Sequence, residues 1–138
     1  MNIQNLVREN IKNLTPYSSA RDEFSADAGV FLDANENPFG DFNRYPDPYQ
    51  KALKTEISKL KNIEANKIFL GNGSDEVIDL LMRIFAEPKK DKILVFNPTY
   101  GMYEVSANIN DVEVISYPLN QDFQIEFSDE LEQILKDE

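Results

Sequence analysis

The stretch Gly71-Asn72-Gly73-Ser74-Asp75-Glu76 is the part of this sequence best suited to chemistry. Before it, Lys67-Ile68-Phe69-Leu70 is a short apolar run with strand character. Behind it, Val77, Ile78, Leu81, Ile84 and Phe85 recur at helical spacing, with Leu80 widening the stripe. The glycines therefore occupy a tight turn from strand to helix. Such a turn aims the free N–H groups of a helix N-terminus at open space, where a phosphate is the usual occupant. A purely structural reading competes with this one. Ser74 is an ordinary N-cap residue, and Asp75 and Glu76 complement the helix dipole from the first turn.

The turn does not match the nucleotide patterns. No Lys-Ser or Lys-Thr follows the glycines, so it is not a P-loop. Glu76 stands where a dinucleotide fingerprint needs its third glycine. A single phosphate held by backbone N–H groups suits it better, provided that the Asp75 and Glu76 carboxylates point away from the anion or are compensated. Tyr100 follows the next apolar run, Lys92-Ile93-Leu94-Val95-Phe96, just as the glycine turn follows the previous one. In a parallel sheet both turns lie at the same carboxyl edge, where α/β proteins bind ligands. A ring there covers a flat cofactor or simply packs in the core.

The elements that must position these residues alternate along the chain. Ile3, Leu6, Val7 and Ile11 form one face of a first helix over residues 2–13, which Leu14-Thr15-Pro16-Tyr17 ends. Residues 18–29 are polar and irregular, so residues 1–29 form an N-terminal arm. One short amphipathic helix is marginal in water, so the arm needs a surface to pack on. Val30-Phe31-Leu32 is a short strand leading into a loop dense in turn formers, Asp33 to Gly40. Asn43-Arg44-Tyr45-Pro46-Asp47-Pro48 continues as a rigid, extended frame that presents Arg44 and Tyr45.

A helix then runs from Asp47 or Pro48 to about Lys61, with Leu53, Ile57 and Leu60 inward. After the strand at 67–70 and the helix from 74 to about 86 come a covered strand at 92–96 and a helix from Tyr100 to about Asn108. A strand near 112–115 and a helix from Ser128 complete the order. Residues 123–127 suit either class. The alternation predicts an α/β protein with a largely parallel sheet of about three strands and flanking helices.

Composition removes several functions. The chain has 138 residues, enough for one core, with 41% hydrophobic content and a net charge of -11. That charge argues against nucleic acid and anionic membrane partners. With neither cysteine nor histidine, thiolate chemistry and the commonest general base and metal ligand are excluded, and no metal site is expected. No transmembrane run or secretion signal is visible, and a cytoplasmic location is expected.

Four blocks in register carry a resemblance: Leu32 to Pro38, Asn43 to Asp47, Gly71 to Glu76, and Asn97-Pro98-Thr99-Tyr100-Gly101-Met102-Tyr103, with Leu14-Thr15-Pro16-Tyr17 ahead of them. In this order they resemble the histidinol-phosphate aminotransferases, class I/II enzymes that use pyridoxal 5'-phosphate, and the resemblance covers nearly the whole chain. It implies the N-terminal arm (residues 1–29) plus the first half of the large domain of a fold-type I transferase (residues 30–138). It implies that the backbone of Gly73, Ser74 and Asp75 cups the cofactor phosphate and that Tyr100 stacks on the pyridine ring. Tyr45 would reach across a homodimer interface to the partner subunit's cofactor, and Tyr17 and Asn35 would line the pocket for the small-molecule substrate, histidinol phosphate.

The family's cofactor-binding lysine would lie beyond Glu138, and none of the ten lysines here is assigned its role. No catalytic residue is therefore expected in this chain, and on its own it is expected to be inactive. Two alternatives stay open. One is a sister enzyme, of threonine-phosphate decarboxylase or aromatic aminotransferase type. The other is a non-catalytic phosphate-binding or interaction module on the same scaffold.

Overall fold

The computed structural model describes residues 2–20, 23–24 and 29–136. Part of the irregular stretch expected over residues 18–29 lies outside the described residues, as do the last two of the chain. The chain divides into two compact units, Met1–Leu14 with Gly71–Glu138, and Thr15–Leu70.

The first unit is built on two parallel strands, β1 (Lys92–Asn97) and β2 (Glu113–Pro118), in register from Lys92 opposite Glu113 to Asn97 opposite Pro118. Parallel strands need a crossover, and α4 (Met102–Ile109) supplies it. Ahead of them in the chain lies α3 (Gly73–Phe85), the longest helix of this unit. Ala86, Ala107 and Val112 are buried together, with Ile93 and Val114 packed against them. Asn110 donates its side-chain amide to Asp79 Oδ1 at 2.7 Å and to the Ser106 carbonyl at 2.8 Å, which ties the end of α4 to α3. The last helix, α5 (Asp129–Ile134), starts as the sequence predicts. Ser128 Oγ accepts from the Leu131 N–H at 3.2 Å and lies 2.8 Å from the Tyr117 hydroxyl. Leu131 beneath it is 1% exposed.

Several expectations change. The helix expected over 2–13 is a 3-10 turn, Ile3–Asn5, followed by the single turn α1 (Glu9–Lys12). The break falls at Arg8, which is extended at φ -56° and ψ 143°. There its N–H donates to the Ile84 carbonyl at 2.9 Å and its guanidinium to the Arg83 carbonyl at 2.9 Å. The same guanidinium pairs with Glu87 at 3.0 Å. Satisfying the carbonyls at the end of α3 outweighs one further turn of a marginal helix.

Val30–Leu32 and residues 67–70 are not strands. Residues 65–67 form a 3-10 turn, and Ile68 is extended, at φ -106° and ψ 120°. Neither segment pairs into the sheet of β1 and β2, and a strand without a ladder is not one. The sheet accordingly has two strands where about three were expected. Residues 123–127 take neither regular form. Asn120 Oδ1 accepts from the Asp122 and Gln124 N–H groups, and Phe123 sits at φ 56°, so the segment is a turn.

In the second unit the main element is α2 (Lys51–Lys61). It begins later than expected because Asp47 holds the preceding turn. Asp47 Oδ1 accepts from the Tyr49 N–H at 2.9 Å and Oδ2 from the Lys51 N–H at 2.7 Å. These two bonds hold the Asp47 carboxyl below its ordinary value, the Lys51 bond more than the Tyr49 one. No described helix is long and apolar enough to cross a membrane.

Candidate functional site

The first-turn N–H groups of α3 point out of a helix that no side chain caps. Its N-cap is Asn72, whose side chain makes no capping bond, and not Ser74 as the sequence suggests. Gly73 opens the helix at φ +80°, a conformation that other residues reach only with strain. A Cβ there would meet nothing within 4 Å, so the glycine is required by backbone conformation, not by crowding. The result is an open helix N-terminus whose amides and dipole favour an anion.

The two acidic residues in this turn, a difficulty for an anion site, are both engaged. Glu76 turns back so that its carboxylate accepts from the Asn72 N–H. Asp75 Oδ1 accepts from the Tyr100 hydroxyl at 3.1 Å, and the Ser74 hydroxyl lies 3.5 Å from the same oxygen. Tyr100 thus comes from the loop that follows β1, past the cis Asn97–Pro98 bond, to the start of α3. The residue is 53% exposed and its ring meets Tyr103 edge to face, with centroids 6.3 Å apart. The Asp75 hydrogen bond, followed by the Asp75 charge, raises the Tyr100 phenol above its ordinary value. The ring therefore stays a neutral donor near neutral pH.

Gly73, Ser74, Asp75 and Tyr100 are thus brought together in one unit. Together they offer backbone donors for an anion and, beside them, an exposed aromatic ring. A flat ligand that carries a phosphate matches both halves. A concavity of about 760 Å³ lies at the other end of α3. Leu6, Leu81, Phe85 and Ile134 line it together with Lys90 and Lys92, and it lies away from Gly73 and Tyr100.

The other expected site residues, Tyr17, Asn35 and Tyr45, belong to the second unit and are exposed. Sequence reading assigned no role to Glu36, which organises their surroundings. Glu36 Oε1 accepts from the Tyr45 N–H at 2.8 Å and Oε2 pairs with Arg44 at 2.7 Å. Asn43 adds a bond from its side-chain amide to the Asn37 carbonyl. Two distant parts of a long loop are thereby locked together, which presents Tyr45 in a fixed frame. A carboxylate in a run of turn formers gave no signal of this. Among the described residues no group of His, Cys, Asp and Glu could hold a metal ion.

Comparison with known proteins bears on the same residues. The family model for aminotransferases of class I and II matches residues 18–138. The histidinol-phosphate aminotransferase of Cytophaga hutchinsonii is 57% identical over 129 residues, covering 90% of this chain and 37% of that protein. That of Bacteroides fragilis is 57% identical over 131 residues, covering 94% and 38%. That of Christiangramia forsetii is 50% identical over 139 residues, covering 99% and 40%. The chain thus spans well under half the length of these relatives.

Proposed function

The chain belongs to the aminotransferase class I and II family, and from that premise we propose that it forms the phosphate-holding part of a pyridoxal 5'-phosphate enzyme acting on histidinol phosphate. The observation that carries the reading is the open N-terminus of α3 with Tyr100 held beside it. Pyridoxal phosphate is a flat heteroaromatic ring bearing one phosphate, which is the ligand these two features suit. When bound, it supplies the electron sink for moving an amino group from histidinol phosphate to 2-oxoglutarate.

In this reading the Ser74 and Asp75 amides donate to the phosphate and the α3 dipole supports its charge. Gly73, at a φ that glycine adopts without strain, sets the direction of those amides. Tyr100 covers one face of the ring and excludes water from it. Tyr45, fixed by Glu36, serves the phosphate bound in the partner subunit of a homodimer, and Tyr17 and Asn35 line the substrate pocket. None of the ten lysines of this chain takes part in the chemistry.

The test is transfer between histidinol phosphate and 2-oxoglutarate. It is run with this chain alone and with the chain joined to the part of the Cytophaga hutchinsonii relative that the match leaves uncovered. The joined protein is expected to turn over and the single chain is not. A folded joined protein that binds pyridoxal phosphate but ignores histidinol phosphate would overturn the substrate assignment.

A further inference from the structure

We propose that Asp75 is the positioning residue for Tyr100. Through the hydroxyl it fixes the phenol ring beside the N-terminus of α3, ready to cover one face of a flat, phosphate-bearing ligand. The identity of that ligand rests on the reading above, but the restraint on the ring does not.

The argument starts from exposure. A tyrosine that is 53% exposed is not held by burial alone, and an unrestrained ring turns freely about its side-chain torsions. Tyr100 also lies in the loop before α4, outside any regular element. Two contacts restrain it. Tyr103, the second residue of α4, meets the ring edge to face at 87° and fixes its sideways position. The Asp75 carboxylate, 25 positions away in sequence, accepts the hydroxyl at 3.1 Å and fixes its tip.

The second contact is the informative one, because it ties the ring to the element whose amides hold the anion. Phosphate donors and stacking face are thereby set relative to each other before any ligand arrives. It also answers why an acidic residue stands in the first turn of an anion site. A serine or asparagine would complement the helix terminus without adding negative charge, but a carboxylate makes the stronger acceptor for a phenol. Glu76, by contrast, is satisfied within its own turn and restrains nothing beyond it.

The consequence for binding is preorganisation. With the carboxylate acceptor gone, the ring must be ordered when the ligand binds. Affinity is then expected to fall roughly three- to tenfold, the usual cost of immobilising one such side chain. Losing the hydroxyl in Y100F has the same consequence, because the ring stays and only the tether goes.

The experiment uses the whole chain in four forms: unmodified, D75A, Y100F and D75A/Y100F. Phenol ionisation is followed by ultraviolet absorbance, and the component missing from Y100F is assigned to Tyr100 among the six tyrosines. In D75A that component is expected to move to lower pH. Pyridoxal phosphate is then titrated into each form. Each single variant is expected to bind it three- to tenfold more weakly than the unmodified chain, and the double variant no more weakly than either, since both remove one interaction. A Tyr100 titration unmoved in D75A overturns the restraint, whatever ligand binds. Additive losses in the double variant overturn the positioning role. An unmodified chain that does not bind pyridoxal phosphate overturns the ligand reading, while the phenol titration still decides the role of Asp75.

Discussion

Replacing Gly73 by alanine is the most direct perturbation of the α3 turn. At φ +80° an L-residue pays about 1–2 kcal/mol for the clash of its Cβ with the backbone. Alanine recovers about 0.4–1 kcal/mol by making the unfolded chain less flexible. A Cβ at this position meets no other atom within 4 Å, so no packing term enters. The balance is a net loss of about 1 kcal/mol, or about 3–4 °C in Tm for a chain of this size. Gly101 is the matched control. It too has open space around its Cβ position, but its φ is -62°, which alanine adopts without strain. Gly101→Ala is expected to gain about 0.4–1 kcal/mol over the unmodified chain. Urea unfolding followed by far-ultraviolet circular dichroism measures both. The backbone argument is refuted if Gly73→Ala is as stable as Gly101→Ala. Should the alanine relax the turn, the cost appears as weaker anion binding, which a phosphate titration of the same variant detects.

Other substitutions test the supports around the site. Ser128→Ala removes the acceptor for the Leu131 N–H and a partner of the Tyr117 hydroxyl. It should cost about 1 kcal/mol in the same unfolding assay, with loss of amide protection at the start of α5. Arg8→Ala leaves the Arg83 carbonyl and Glu87 without their guanidinium. Hydrogen exchange of residues 2–14 should speed up at a cost of about 1 kcal/mol, while the β1 and β2 amides stay protected. The folded-state pKa of Asp47 is depressed, so its contribution to stability is present above the ordinary carboxylate range. It is lost as pH falls through the lowered value. Acidification should therefore loosen the Tyr49 and Lys51 amides in the intact chain. Asp47→Asn should abolish that pH dependence.

The legible part of the fold was the part in which local pattern and tertiary partner agree. Lys92–Phe96 read as a covered strand, and β2 lies beside it to complete the ladder. Ser128 read as a helix start because its side chain caps the helix that follows. Val30–Leu32 and residues 67–70 carry the same apolar, extended preference, but a strand is defined by its neighbour and that neighbour cannot be read from the segment itself. The first helix failed for a related reason. Its periodicity is genuine, but Arg8 finds the carbonyl end of α3 more than seventy positions away, and no local rule encodes that pairing. At the site, the open turn was readable from its glycines, but its place at the edge of the sheet was not, because residues 67–70 form no strand. The Asp75–Tyr100 and Glu36–Tyr45 bonds were not readable either, since each joins a side chain to a partner that only the fold brings near.

The central claim is that the α3 turn holds the phosphate of pyridoxal phosphate with Tyr100 over its ring. Nuclear magnetic resonance on the isotope-labelled chain tests this most directly, because it sees even weak binding residue by residue. Pyridoxal phosphate, pyridoxal and inorganic phosphate are titrated in turn. Pyridoxal phosphate should shift the Gly73, Ser74 and Asp75 amides together with the Tyr100 ring, inorganic phosphate the amides alone, and pyridoxal should leave those amides unmoved. Equal shifts from pyridoxal, or shifts that leave the start of α3 untouched, would contradict the account.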